Sequence, residues 1–480
     1  MNGNGKGSSN GKANGKASSN GSSNGKASAN GKTSSNGNGK ANGNGNGSRF
    51  TLSSIRLFGL SFWQAWWMLC LCSSAVLPFD LAAKFPFDPA LMVLLLTALG
   101  YLAVVGLSRL ISPFIRQKAA FILASACSAL GTLGMGLLAH GEGGTALVVL
   151  YVLATLLFSL GNALLLIMWG ELWSTLATGR VGRYLYVSYA FAFVLFFALR
   201  FLPALPLVVL VSLLPVASAL VLASALSEPV REPASISFDM VPVPRVKLFC
   251  SLLLISIVWG FSQPALMTVP APEVIAQSFL LAGVGIVALA LNLIVVQPSL
   301  EAMVFYRPVI PALAVGLLLI VLLPPELAFV GGGLSVVAIY SLDMLIMLVS
   351  TDVAFRARIP VALSFGLSIF TMRIGTFIGA AGFRLLGPSA AHGGYTSEQV
   401  LLASAIVVVL VGTLLFTKGD LRNFYRARKH EVASDASTRT KCTHIGTVCG
   451  LTSREMEVLQ LLACGRSVPY ICEELTIAQG

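Results

Sequence analysis

Apolar runs long enough to cross a bilayer recur from residue 57 to residue 417, and they constrain the fold more than any other feature of the chain. A helix that spans the hydrocarbon core needs about 20 predominantly apolar residues. Twelve segments fit, near 57–79, 89–108, 119–139, 144–169, 184–200, 202–226, 248–267, 275–297, 308–325, 327–350, 361–382 and 399–417. With 56% hydrophobic and 11% charged residues, the balance is one that soluble globular proteins seldom show, which predicts an all-α integral membrane protein. The first 48 residues hold no apolar stretch of the kind a secretory signal needs, so the first span is expected to act as the insertion signal.

Orientation follows from the loops, because Lys and Arg are retained on the cytoplasmic side during insertion. On one side lie Arg109, Arg116, Lys118, Arg180, Arg183, Arg231, Arg245, Lys247, Arg307, Arg356 and Arg358, eleven in all, against Lys84, Arg200 and Arg384 on the other. This predicts a multi-pass protein of the cell membrane with both termini cytoplasmic. The polar, Pro-rich stretch 227–247 divides the membrane domain, 49–417, into six spans and six. That pattern resembles the major facilitator fold, which implies two six-helix halves around a midplane cavity. The family's signature is a Gly followed by Asp and basic residues between the second and third spans. Here "GLSRLISPFIRQK", Gly106 to Lys118, keeps the Gly and the basic residues and lacks the Asp, which weakens the expectation of transport.

An ionisable group at membrane depth costs several kcal/mol unless paired or hydrated. Asp343 in "YSLDMLIML" and Arg373 in "IFTMRIGTFIG" fall inside the tenth and eleventh spans at depths that long side chains bridge if the helices are neighbours. They are candidates for binding a charged ligand or for a switchable ion pair; a static pair that fixes helix packing is the alternative. Asn162, Gln263 and Asn292 are uncharged cavity candidates, and Glu171 is read as interfacial. Gly375 with Gly379, and Gly131 with Gly134 and Gly136, predict close helix contacts.

The formal charge of +12 is uneven: Lys6, Lys12, Lys16, Lys26, Lys32, Lys40, Arg49 and Arg56 precede any acidic residue. Residues 1–48, built of Asn-Gly-Lys and Ser-Ser-Asn units, are expected to be a disordered, solvated leader, with contact to anionic lipid or nucleic acid as the alternative. The eight cysteines suggest no disulfide framework. Cys442, His444 and Cys449 lack a Cys-x-x-Cys spacing, so no metal is expected.

A basic linker, 418–450, leads to a different kind of segment. Thr452 and Glu455 form a capping box, Val458, Leu459 and Leu462 follow at helical spacing, and a helix is predicted over 453–463. Gly465 would stop it and Ser467 cap a second helix that buries Ile471 and Leu475. Leu451, Thr452, Arg454, Glu455, Glu457, Val458, Leu459, Leu461, Leu462, Ala463, Gly465, Ser467, Ile471 and Leu475 resemble the start of a LuxR-type helix-turn-helix domain, with Tyr470 and Ala478 departing from the family pattern. The resemblance implies promoter DNA as partner and a homodimer. It also implies that residues 451–480 are the first half of that domain, and that the chain stops before its recognition helix. No phosphate-cradling loop or nucleophile with a base partner is visible, so neither enzyme activity nor a cofactor is expected. The function expected on these grounds is a membrane-bound LuxR-type regulator whose major-facilitator-like domain senses a small molecule or membrane state. A secondary transporter with a regulatory appendage is the alternative.

Overall fold

A computed structural model describes residues 56–73, 75–77, 85, 87–140, 144–176, 178–226, 245–268, 272–296, 308–357, 359–386, 396–415, 436–463 and 468–475. The basic tail 1–48, residues 227–244 of the central stretch, residues 418–435 of the linker, and Gly465 and Ser467 of the C-terminal motif lie outside the described residues.

Helices form wherever the sequence carries an apolar run, since in lipid each backbone N–H and C=O must be satisfied within its own segment. In chain order they are α1 (Leu60–Cys72), α2 (Pro89–Ile111), α3 (Lys118–Ala139), α4 (Thr145–Ser174), α5 (Thr178–Arg200) and α6 (Ala204–Ala225), followed by α7 (Arg245–Thr268), α8 (Pro272–Leu291), α9 (Val309–Leu322), α10 (Ala328–Ala357), α11 (Val361–Leu386) and α12 (Ser397–Leu415). Eight of these, α2 to α6, α8, α10 and α11, are long and apolar enough to cross a membrane; α1, α7, α9 and α12 are shorter apolar helices in the places where the remaining spans were expected. No strand occurs among the described residues.

The helices pair in a pattern that repeats after six. In the first half α1 packs on α5 and α6, α3 on α4 and α6, and α2 on α4; in the second α7 packs on α11 and α12, α9 on α10 and α12, and α8 on α10. Contacts between the halves obey the same exchange, with α2 against α11 matched by α8 against α5, and α4 against α11 matched by α10 against α5. Each half is thus one copy of a six-helix unit, and the seam between them runs through α2, α4, α5, α8, α10 and α11.

Polarity in this bundle is arranged for lipid outside. Along α4, Leu150, Leu153, Leu157 and Leu160 recur at helical spacing on the exposed face, while Thr155, Ser159 and Asn162 are buried opposite them. Glycines set the tightest approaches. A Cβ on Gly131 would run into the backbone of Phe158 on α4, and one on Gly379 would run into the Ile257 carbonyl and the Phe261 amide on α7. The glycine clusters therefore act as predicted, letting helix backbones touch.

Three further helices follow: α13 (Ala436–Cys449), α14 (Ser453–Ala463) and α15 (Val468–Leu475). Residues 436–449 of the segment read as linker are thus helical. They bury Cys442 and lay Gly446 against Met456 of α14, a tertiary contact that local pattern does not reveal. Gly450 turns the chain between them at φ 65°, and the Leu451 amide donates to the Gly446 carbonyl at 2.9 Å.

Candidate functional site

The polar residues of the seam converge on one cluster drawn from both halves. Asp343 of α10 is buried and accepts a hydrogen bond at Oδ2 from the hydroxyl of Tyr189 on α5, at 2.9 Å; its Oδ1 has no partner among the described residues. The Tyr189 ring meets Tyr340 of α10 edge-on at 5.9 Å, and Phe193 packs on the same ring at 5.5 Å. Arg373 of α11 lays its guanidinium over the ring of Trp67 on α1, 4.5 Å from the centroid, while its Nε and Nη2 have no hydrogen-bond partner among the described residues. A cation on an indole face is stabilised by about 0.5–2 kcal/mol, and half-buried Arg373 falls between those limits, which offsets part of the cost of holding the charge at depth.

Asn162 of α4 completes the first half's contribution. The indole N–H of Trp63 can only donate, so the Asn162 oxygen turns towards it at 2.9 Å, and the amide nitrogen then donates to the Tyr101 hydroxyl of α2 at 3.4 Å. Tyr101 lies within electrostatic reach of both Asp343 and Arg373, as do Tyr189 and Tyr340. Gln64, one turn before Trp67 on α1, is fully buried with neither amide atom partnered.

Asp343 and Arg373 thus share a site and act on each other electrostatically, yet their charged atoms stay more than 4.0 Å apart. Tyr189 bonds to one carboxylate oxygen and Trp67 covers one guanidinium face, while Oδ1 and the Nε–Nη2 edge stay open among the described residues. Gln263 on α7 and Asn292, which opens a π-helical turn at Asn292–Val296, are half-buried, and no hydrogen bond joins either to the cluster. Sequence reasoning missed Trp67, Tyr189, Tyr101, Tyr340 and Gln64. Of these only Gln64, a lone amide in "SFWQAWWML", carried a signal comparable to that of Asn162.

Glu171, read as interfacial, lies at the end of α4 and is buried. It accepts from the backbone amides of Phe114 at 3.1 Å and Ile115 at 2.7 Å, pinning the loop between α2 and α3. A carboxylate of α4 thus holds a loop whose own residues 112–117 carry none. At the opposite end of α2, Asp88 caps the helix by accepting from the Ala90 amide at 2.8 Å and pairs with Arg384 of α11, which ties the two halves together.

In the C-terminal segment Thr452 and Glu455 form the predicted box: the Thr452 amide and hydroxyl donate to Glu455 at 2.9 and 2.8 Å, and the Glu455 amide donates back at 3.3 Å. These bonds hold the Glu455 carboxyl below the usual carboxylate range. Arg454 pairs with Glu457 at 2.6 Å and reaches the Leu475 carbonyl at the end of α15. Ile471 is buried, Leu451, Val458, Leu459 and Leu475 are half-buried, and Leu462 is exposed.

No family model and no curated protein matches the chain. Among solved structures it is similar to a bacterial homologue of the iron transporter ferroportin in the outward-facing state, with a TM-score of 0.51 and 17% identity over 75% of this chain and 97% of that one. The human organic anion transporter MFSD10 aligns at a TM-score of 0.49 and 12% identity, over 76% of this chain and 98% of that one. The first of these likenesses shows the fold alone: an all-helical bundle built like that of a multi-pass membrane transporter homologue.

Proposed function

We propose that the chain is a secondary transporter that carries a small polar solute through the Asp343–Arg373 site by alternating access between its two six-helix halves. The observation that carries this reading is the site's position: a buried polar cluster at the seam of a major-facilitator-type bundle, built from α1, α2, α4 and α5 on one side and α10 and α11 on the other. Rocking of one half against the other would open that seam to each side in turn. All twelve apolar helices cross the bilayer in this reading. The basic end that carries Arg109, Arg116 and Lys118 faces the cytoplasm together with both termini, as the eleven-to-three loop asymmetry requires.

The test is uptake into proteoliposomes holding the full chain, with a panel of labelled carboxylates, amines and amino acids. At least one solute should be carried by the native protein and not by Asp343→Asn. A panel carried no faster than by empty liposomes, with protein that still melts cooperatively, would remove the transport reading. A cysteine placed in residues 1–48 should resist an impermeant thiol reagent in intact cells; labelling would reverse the orientation.

The membrane-bound regulator stands as the second reading, favoured by the capping box at Thr452 and the α14–α15 pair. Here the same cluster senses a ligand, and the C-terminal helices belong to a LuxR-type domain that binds promoter DNA as a dimer. Selective retention of one promoter over scrambled DNA of equal length, at one fixed salt concentration, would favour it over transport.

A further inference from the structure

We infer that the site takes a small zwitterion, whose carboxylate docks on the open edge of Arg373 and whose ammonium group docks on the open oxygen of Asp343. This rests on the reading of the cluster as a solute site and names the solute's chemistry. On Arg373 the unpartnered atoms are Nε and Nη2, which share one edge of the guanidinium and form a two-pronged fork matched to the two oxygens of a carboxylate. Trp67 covers the flat face of the group and leaves that edge clear. On Asp343 the opposite holds: Tyr189 occupies Oδ2, and Oδ1, buried and without a donor, is left for a cation.

Charge bookkeeping selects between ligand classes. A lone anion would pair Arg373 and leave the buried Asp343 without a counter-charge in contact, and a lone cation would do the reverse. Removing the partner of a buried charge is strongly destabilising, so either case forfeits much of what the other contact supplies. A zwitterion satisfies both edges and leaves the net charge of the site unchanged. It also accounts for the separation of two opposite charges that lie in one cluster without closing into an ion pair.

The test uses purified full-length protein and three ligand families: glycine, β-alanine and γ-aminobutyrate, each compared with the carboxylate and the amine of equal chain length, acetate with methylamine, propionate with ethylamine, and butyrate with propylamine. Affinity is read from the ligand-dependent shift in melting temperature. At least one zwitterion should bind ten or more times tighter than both of its singly charged counterparts. Arg373→Lys keeps the charge and loses the fork, so it should fold and bind that zwitterion at least tenfold more weakly; Asp343→Asn should erase the preference for the zwitterion over the carboxylate. If none of the three zwitterions binds, if their counterparts bind as tightly, or if Arg373→Lys binds equally well, the inference is overturned. A zwitterion that binds with this discrimination and is not carried into proteoliposomes would overturn transport alone, and a singly charged solute that is carried would overturn this inference alone.

Discussion

Replacing Tyr189 by Phe removes one hydroxyl and keeps the ring that packs against Tyr340. Tyr189 is fully buried, and its 2.9 Å bond to Oδ2 is the one hydrogen bond that Asp343 receives from a side chain among the described residues. The variant therefore leaves both carboxylate oxygens without a donor. A hydrogen bond to a charged group contributes about 1.5–3 kcal/mol, whereas neutral bonds between membrane helices average about 0.6 kcal/mol. Tyr189→Phe should accordingly destabilise the native protein by about 1.5–3 kcal/mol and the Asp343→Asn protein by only about 0.6, a coupling of roughly 1–2.4 kcal/mol. The assay is reversible unfolding in mixed detergent micelles of the native protein, each single variant and the double variant. Additive effects, with a coupling inside the roughly 0.3–0.5 kcal/mol scatter of independent sites, would refute the claim that the hydroxyl holds the carboxylate.

Gly260→Ala would place a methyl group against the Thr376 backbone where α7 and α11 touch, so it should cost about 1–3 kcal/mol of stability in the same unfolding assay; a neutral outcome would mean that the helices are not in backbone contact. Glu171→Ala strands the Phe114 and Ile115 amides, at about 1–3 kcal/mol for each buried group, and should raise protease cleavage in the 112–117 loop, whereas cleavage at the native rate would show that the carboxylate does not hold the loop. Because the folded Glu455 carboxyl titrates below its unfolded value, its contribution to α14 is complete above the usual carboxylate range and is lost as pH falls through that range to the lowered value. Exchange protection of the Met456 amide, corrected for intrinsic rate, should therefore fall on acidification in the native chain and stay flat in Glu455→Gln; parallel curves would count against the capping role.

The positions of the helices were legible in the residues because helix formation in lipid is a local matter of length and apolarity, and each of the twelve expected spans coincides with a helix. The start of α14 was legible for a similar reason: Thr452 and Glu455 sit three residues apart and need nothing distant to form their bonds. Which polar groups meet was not legible in that way. In a helix apolar around nearly its whole circumference, such as α6, no polar stripe marks the face that turns inwards, so rotation and neighbours are set by packing. That is why Asp343 and Arg373 could be singled out from the sequence while their companions could not. Only the tertiary arrangement brought Tyr189 of α5 to the carboxylate and Trp67 of α1 to the guanidinium, across 154 residues in the first case.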